Sequence, residues 1–548
     1  MYKRIYRMIC VFLMIGLLGL TCGCEKEQES GMGFLFNCAL PANPACLDPQ
    51  YTDSEYAGPV IANIMEGLMR ADENGIPVEA GAESYSITDD GLCYMFNLRE
   101  GCAWYHNRMK AEEEIPVTAK DYVYAFRRLL DPLTQSPYAS YFSCIRNANS
   151  VMAGTLPPES LGISAPDDST VLFELDYTNA EFLQLLTLPC AVPCNEEFFL
   201  STNGRYGLDI ETVVCNGPFY ISKWNYDAYG SDNFITLKKN KLHYDADNIA
   251  PSSVQFTILR SQVAVEKAFS EGSCDLMITE SNPINYLDRK EYHVYPERAQ
   301  TLGLIFNPEN EILQNEDLRL AIAHAIDRAA YAPVLSDDMK PAYGVIPPAA
   351  TLLDSSYREI CADEPLALPY DPQKAASLFE RAAKKLQLNS LNSIRILMPN
   401  TITDTDALLT LCQEWQTLFG QYIGIEAVTP TEYERRLAAG EYSIALYGVH
   451  GSRNSCYEVL RVFSVNKELM GFESAEYSGI MTQLATVGRI SDSVPLYTAA
   501  EQAILDTNAF IPLFYKNTYL VATAGNREIG FDAFSGTLDF RRAKHFSE

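Results

Sequence analysis

An α/β protein of at least two lobes, exported and then held at a membrane, is what the sequence predicts, on three observations. The chain has 548 residues, well past the roughly 250–300 at which one hydrophobic core stops growing. From residue 254 onward, strand-like and helix-like stretches alternate, the grammar of a partly parallel sheet carrying helices. The third observation is a leader: Lys3, Arg4 and Arg7 precede an apolar run, residues 9–20, that stops at Thr21-Cys22-Gly23-Cys24 and is short for a bilayer span of about 30 Å.

Gly23 places a small residue before Cys24, so cleavage there leaves Cys24 as a lipidated N-terminus; Cys22 is the second choice, and a plain secretory signal or one anchoring helix is the alternative. Residues 24–30, with Glu25, Lys26, Glu27 and Glu29, read as a polar tether. Next comes a helical apolar spacing over 61–69, closed by the turn Asp72-Glu73-Asn74-Gly75. Residues 94–99 alternate as a strand. Thr118 caps a helix from about Ala119 that stops at Asp131-Pro132. Residues 170–176 read as a strand, 182–188 as a short helix, and Asn216-Gly217-Pro218 as a turn feeding a strand, with another over 234–240. The second half predicts strands at 254–259 and 276–278 around a helix at 263–270, then helices at 315–330 and 372–386. Strand 393–398, helix 405–419, strand 423–428, helix 432–439 and strand 443–446 follow.

The formal charge is −29, and the leader carries three basic residues and no acid, so the processed chain is more negative still. That balance repels nucleic acids and anionic lipid headgroups. The cysteines have no regular spacing, Cys190 and Cys194 are a weak zinc signal that reads as a chance pair or buried free thiols, and six scattered histidines argue against a histidine-built metal site. No Gly-x-Ser-x-Gly elbow, His-Glu-x-x-His pair or phosphate-cradling glycine loop occurs, so no enzyme and no cofactor are expected.

The block Asp131-Pro132-Leu133-Thr134-Gln135-Ser136-Pro137-Tyr138-Ala139-Ser140-Tyr141 closely resembles the extracytoplasmic oligopeptide-binding proteins of ABC importers, family 5 of the solute receptors. Other blocks come in that family's order. They are Glu66-Gly67-Leu68, Pro116-Val117-Thr118-Ala119-Lys120-Asp121, Asn216-Gly217-Pro218-Phe219, Ile326-Asp327-Arg328, Tyr343-Gly344 and Ile511-Pro512-Leu513-Phe514-Tyr515. The resemblance implies a two-lobed periplasmic-binding-protein-like fold with a hinged cleft. Lobe I would be 27–65, 181–299 and 517–548; a small extra domain, 66–180; lobe II, 300–516; the crossings near 299 and 516 would be hinges. It implies a monomeric receptor that captures an oligopeptide, closes, and docks on a permease served by ATPase subunits, held to the membrane through its lipid. A non-peptide solute, a nickel or metal-chelate receptor, and a sensor without transport stay open as alternatives.

The same resemblance nominates ligand contacts. Tyr138 falls where relatives line the cleft with tyrosine, and Asp53-Ser54-Glu55 matches a ligand-contacting edge whose carboxylates suit an amine. The stretch Tyr447-Gly448-Val449-His450-Gly451-Ser452 corresponds to a Gly-Trp segment followed by an Asp that anchors a peptide's free amine. Here Val449 replaces the aromatic and Ser452 the carboxylate, so the anchor is missing unless Glu458, Asp53 or Glu55 reaches in. Arg453 is a candidate for a ligand carboxylate. Gly448, His450 and Ser452 complete the set, and residues 110–114 read as an insertion on one rim.

Overall fold

The computed structural model describes residues 28–29 and 33–547, apart from 73–74, 107–114, 281, 284–286, 288–290, 353–354, 362–365, 389 and 403–404. The expectations for the leader, for Cys24 and for the rim insertion lie outside the described residues. Residues 28–29, at the end of the expected tether, pair with the strand Lys544–Ser547.

Two bodies of core make up the molecule. In the first, Phe36, Val60, Phe96, Trp104, Phe126, Phe173, Phe219, Phe256 and Phe540 belong to one continuous buried cluster, which packs residues 66–180 onto the rest of that half without an apolar break. Its main sheet has Leu35–Leu40 parallel to Ser253–Ile258, which continues antiparallel through Phe234–Lys239 to Phe219–Asn225. A second sheet joins Ala82–Ile87, Cys93–Leu98 and Thr170–Glu174. The helix Ala119–Leu130 packs beside it. Thr118 is the expected cap and forms a capping box with Asp121, and Arg127 and Arg128 suit the negative end of the helix dipole.

The second half is built on a sheet buried on both faces. Leu304 and Leu446 enter one cluster with Ile322 and Trp415, while their neighbours Ile305 and Ala445 enter another with Tyr357, Phe463 and Phe510. Successive side chains on a strand point to opposite faces, so a strand covered on both sides is apolar at every position. Arg395–Pro399 runs parallel to both Gly424–Val428 and Ile444–Val449, the partly parallel arrangement expected from the strand–helix alternation.

Two long strands, Tyr292–Phe306 and Phe510–Thr523, join the halves. Their outer parts pair 292–297 with 518–523 beside Leu276–Thr279, and their inner parts pair 300–305 with 510–516 beside Ile444–Val449. Between Glu297 and Gln300 the register slips, opposite Thr518 and Lys516. A bulge of that kind bends a strand locally and breaks its ladder.

Three expected elements are corrected. The helix at 61–69 is Gly58–Ile64, begun by Pro59 and ended by extended Met65, because Glu66 turns into a buried polar cluster. The helix at 315–330 splits into Glu316–His324 and Arg328–Tyr331, since the Asp327 carboxylate accepts hydrogen bonds from the Ala329 and Ala330 N–H groups and starts a new helix. The strand at 443–446 runs on to Val449. Every cysteine among the described residues is an unpaired thiol, with Cys190 and Cys194 buried, and no group of three or more metal-ligating side chains occurs among those residues.

The family-like glycines have local causes. A Cβ on Gly217 would sit 2.6 Å from the Ile64 carbonyl carbon and 2.7 Å from the Met65 nitrogen, backbone that cannot swing away. At Gly344 the obstacle is a side chain, the Arg358 guanidinium, held in place by the Ile346 carbonyl and Glu501.

Candidate functional site

Between the halves lies a cleft of about 2010 Å³ that meets both crossing strands at Glu297, Gln300 and Lys516. Its described lining carries eleven carboxylates and six lysine or arginine side chains, so the space is acidic like the whole chain. Among the described residues no helix is long and apolar enough to cross a membrane.

On the first-half wall, Asp53 and Glu55 are exposed to the cleft, with Ser54 partly buried between them. Tyr138 holds this segment in place, for its hydroxyl donates to the Thr52 carbonyl at 2.9 Å. Burial pushes the Tyr138 phenol up to about 12, so it stays neutral. Glu280 reaches the Lys516 ammonium at 2.7 Å. Enclosure works to raise the Glu280 pKa, but that ammonium wins and holds it below its ordinary value.

On the second-half wall the loop after Ile444–Val449 is fixed at its far end by Ser455, whose hydroxyl accepts from the Glu458 N–H and caps the helix Cys456–Val465. His450 is solvent-accessible yet walled in, which lowers its pKa, while Glu280 and Glu55 act in the opposite direction. The alternation of the strand settles two candidates. Ala445, Tyr447 and Val449 all face the same cluster, and Val449 is wholly buried there, so its side chain does not face the cleft. Gly448 lies on the opposite face, where a Cβ would collide with Gln300; it does not line the cleft either.

Asp53, Ser54, Glu55, Tyr138, His450, Ser452 and Arg453 are therefore brought together around one space. Glu458 is not. It is buried and engaged by Arg461 at 2.9 Å, by Ser452 at 3.1 Å and by Tyr141 at 3.3 Å, so of the three acids nominated to replace the missing anchor only Asp53 and Glu55 line the cleft.

The two walls also touch. The Tyr141 and Ser452 hydroxyls lie 2.8 Å apart. Arg453 is only 5 % exposed, and its Nη2 donates to Glu181 of the first half at 2.5 Å. Burial opposes the Arg453 charge, but Glu181 and Glu458 raise its pKa overall. Glu181 also accepts from the Ser455 hydroxyl at 2.8 Å and from Tyr497 at 3.2 Å. Thr178 and Ala180 add hydrogen bonds to the Thr486 and Val487 carbonyls, each at 2.8 Å. These contacts describe a closed cleft. Sequence reasoning missed Glu181 because an acid at the start of a short helix reads as a capping charge; its partner stands 272 positions away.

Residues 77–468 match the profile described as "Bacterial extracellular solute-binding proteins, family 5 Middle". The chain is 24 % identical to the oligopeptide-binding protein OppA of Bacillus subtilis, over 94 % of this chain and 95 % of that one. It is also 24 % identical to the probable deoxycholate-binding periplasmic protein YgiS of Escherichia coli, over 87 % and 86 %. Among solved structures, the substrate-binding domain of an oligopeptide ABC transporter from Bacillus anthracis superposes with a TM-score of 0.70 at 24 % identity, covering 95 % of this chain and 100 % of that one. The shared fold is the two-lobed periplasmic-binding-protein architecture.

Proposed function

The chain belongs to the family 5 extracellular solute-binding proteins, and on that premise we propose that it captures oligopeptides outside the cell and delivers them to the permease of an ABC importer. Solute binding, and no chemistry, is what the family's description names. The observation that carries the peptide reading is the cleft itself: about 2010 Å³ of mixed lining between two bodies joined by a pair of bulged strands. That is far more room than a metal ion or single amino acid needs. Relatives whose names specify oligopeptides match almost the full length, which supports the same reading.

The lobes of this mechanism are the two bodies, with the crossings near 299 and 516 as hinges. Bending there opens the cleft, an oligopeptide enters, and Tyr141, Ser452, Glu181 and Arg453 meet again as the walls close. Closure screens the ligand from water and changes the outer shape, which is what a transporter can recognise. Lipidation at Cys24 would keep the monomeric receptor near its permease and ATPase subunits. Asp53 and Glu55 take the role of amine anchors, since Ser452 has no charge to offer and Glu458 is occupied. A second reading, a solute lacking a free amine, is favoured by that same serine, and a relative named as probably deoxycholate-binding keeps it in play.

Native mass spectrometry of protein isolated without refolding tests the reading. A retained mass, or one gained from a peptide pool, that fragments as a peptide is expected. A bound mass that yields no peptide fragments, or no uptake from any pool, contradicts it.

A further inference from the structure

Resting on the peptide reading of the cleft, we propose that Arg453 receives a neutral main-chain carbonyl of the ligand, that it does so only in the closed form, and that the ligand's terminal carboxylate lies elsewhere. Arg453 lines the cleft and is buried, yet its guanidinium is only partly satisfied: Nη2 is held by Glu181, whereas Nε and Nη1 have no hydrogen-bond partner. Buried N–H groups on a charged fork are costly to leave unpaired. Both nitrogens are shut off from solvent in this closed structure, so a ligand oxygen removes that cost by displacing the atoms that cover them.

Charge selects which oxygen. The positive charge of Arg453 is already matched by Glu181 at 2.5 Å. Asp532, which also lines the cleft, lies within the reach of the same charge, and Glu458 adds to the negative side. A second carboxylate would enter a cleft where acids already outnumber cations by eleven to six. A carbonyl supplies lone pairs without adding an anion.

Closure follows from position. Glu181 starts the helix Phe182–Leu185, whose Phe182 and Leu185 are buried in the first-half core, and Arg453 stands in the loop before Cys456–Val465, whose Cys456 and Val459 are buried in the second, so their pairing exists only when the walls meet. That pairing aims the remaining N–H groups, and a carbonyl that satisfies them binds the closed form better than the open one. Neutral and cationic peptides then bind in preference to acidic ones.

Pentapeptide pools carrying two lysines, as free acids and as C-terminal amides, are offered to the purified full chain, and bound species are identified by native mass spectrometry. The best binder is then resynthesised with each peptide bond in turn replaced by an alkene isostere, which deletes one carbonyl, and affinities are compared in wild type, Arg453→Lys and Arg453→Gln by calorimetry. Amidation is expected to leave affinity within about twofold, one isostere position to lose about tenfold or more, and that positional loss to vanish in the variants. Two variants guard against one failing to fold, and the positional signature is something a merely structural arginine does not produce. A tenfold loss on amidation that disappears in the variants would instead make the carboxylate the partner. Equal losses in wild type and variants at every position would remove Arg453 from the ligand. Both outcomes overturn this inference while leaving the peptide reading intact, whereas a wild type that binds no peptide from any pool ends the reading and the inference together.

Discussion

Two arginines of the second half, Arg453 buried and Arg358 largely enclosed, show how the same ionic contact serves different ends. Arg358 uses every nitrogen: Nε donates to the Ile346 carbonyl at 2.8 Å, and both terminal nitrogens donate to Glu501, which also accepts from the Val345 and Ile346 N–H groups and from Tyr357. All of these partners lie within one half of the molecule, and Glu501 is completely enclosed. Arg453 reaches across to the other half and leaves two nitrogens without partners. A closed set of bonds holds a fold, whereas an open set next to a cleft is matched to something that comes and goes.

The contrast can be broken most severely at Glu501→Gln, which strands a buried guanidinium; a loss of about 3–5 kcal/mol of unfolding free energy is expected from denaturant titration. Next is Glu66, a second fully enclosed acid, contacted by His243, Tyr244 and Arg541. Burial works to raise its pKa, but Arg541 and His243 bring it down to about 2. Because the folded value lies below the unfolded one, the carboxylate stabilises the protein fully above about pH 4.5, and that stabilisation fades as the pH falls towards 2. Glu66→Gln should therefore flatten the acid limb of stability between those values, a difference of roughly 3 kcal/mol across the window. Wild type and variant with equal slopes from pH 5 to 3 would show that Glu66 is not held this way.

The open set should respond in the opposite pattern. Arg453→Met is expected to weaken peptide binding about tenfold or more while moving the unfolding midpoint little, because Glu181 can be hydrated when the walls part. The smallest expected effect belongs to Tyr141→Phe. Losing the hydrogen bonds to Ser452 and Glu458 should cost about 1 kcal/mol of closure, seen as a larger radius of gyration of the ligand-free protein in solution scattering.

Local signals made much of the fold readable. Thr118 and Asp131-Pro132 bracket one helix and the apolar spacing over 372–386 marks another, and both occur as expected, with Asp121 and Asp371 completing their N-terminal caps. What failed was decided at long range. The 61–69 helix stops early because Glu66 is claimed by His243 and Arg541, and the strand expected to end at 446 continues because Thr301–Gly303 pairs with residues 447–449. That extension sent Val449 into the core. At the cleft, the resemblance reached Asp53, Tyr138 and Ser452, but the partners of Arg453 and Ser452, namely Glu181 and Tyr141, stand far away in the chain and carry no local pattern that marks them.

A crystal structure of the full chain with a bound lysine-containing pentapeptide tests the central claim most directly. It should show the peptide enclosed in the cleft, a main-chain carbonyl within hydrogen-bonding distance of Arg453 Nε or Nη1, and the Glu181 pair intact. A peptide seated outside the cleft, or an Arg453 that faces the terminal carboxylate with Glu181 released, would contradict it.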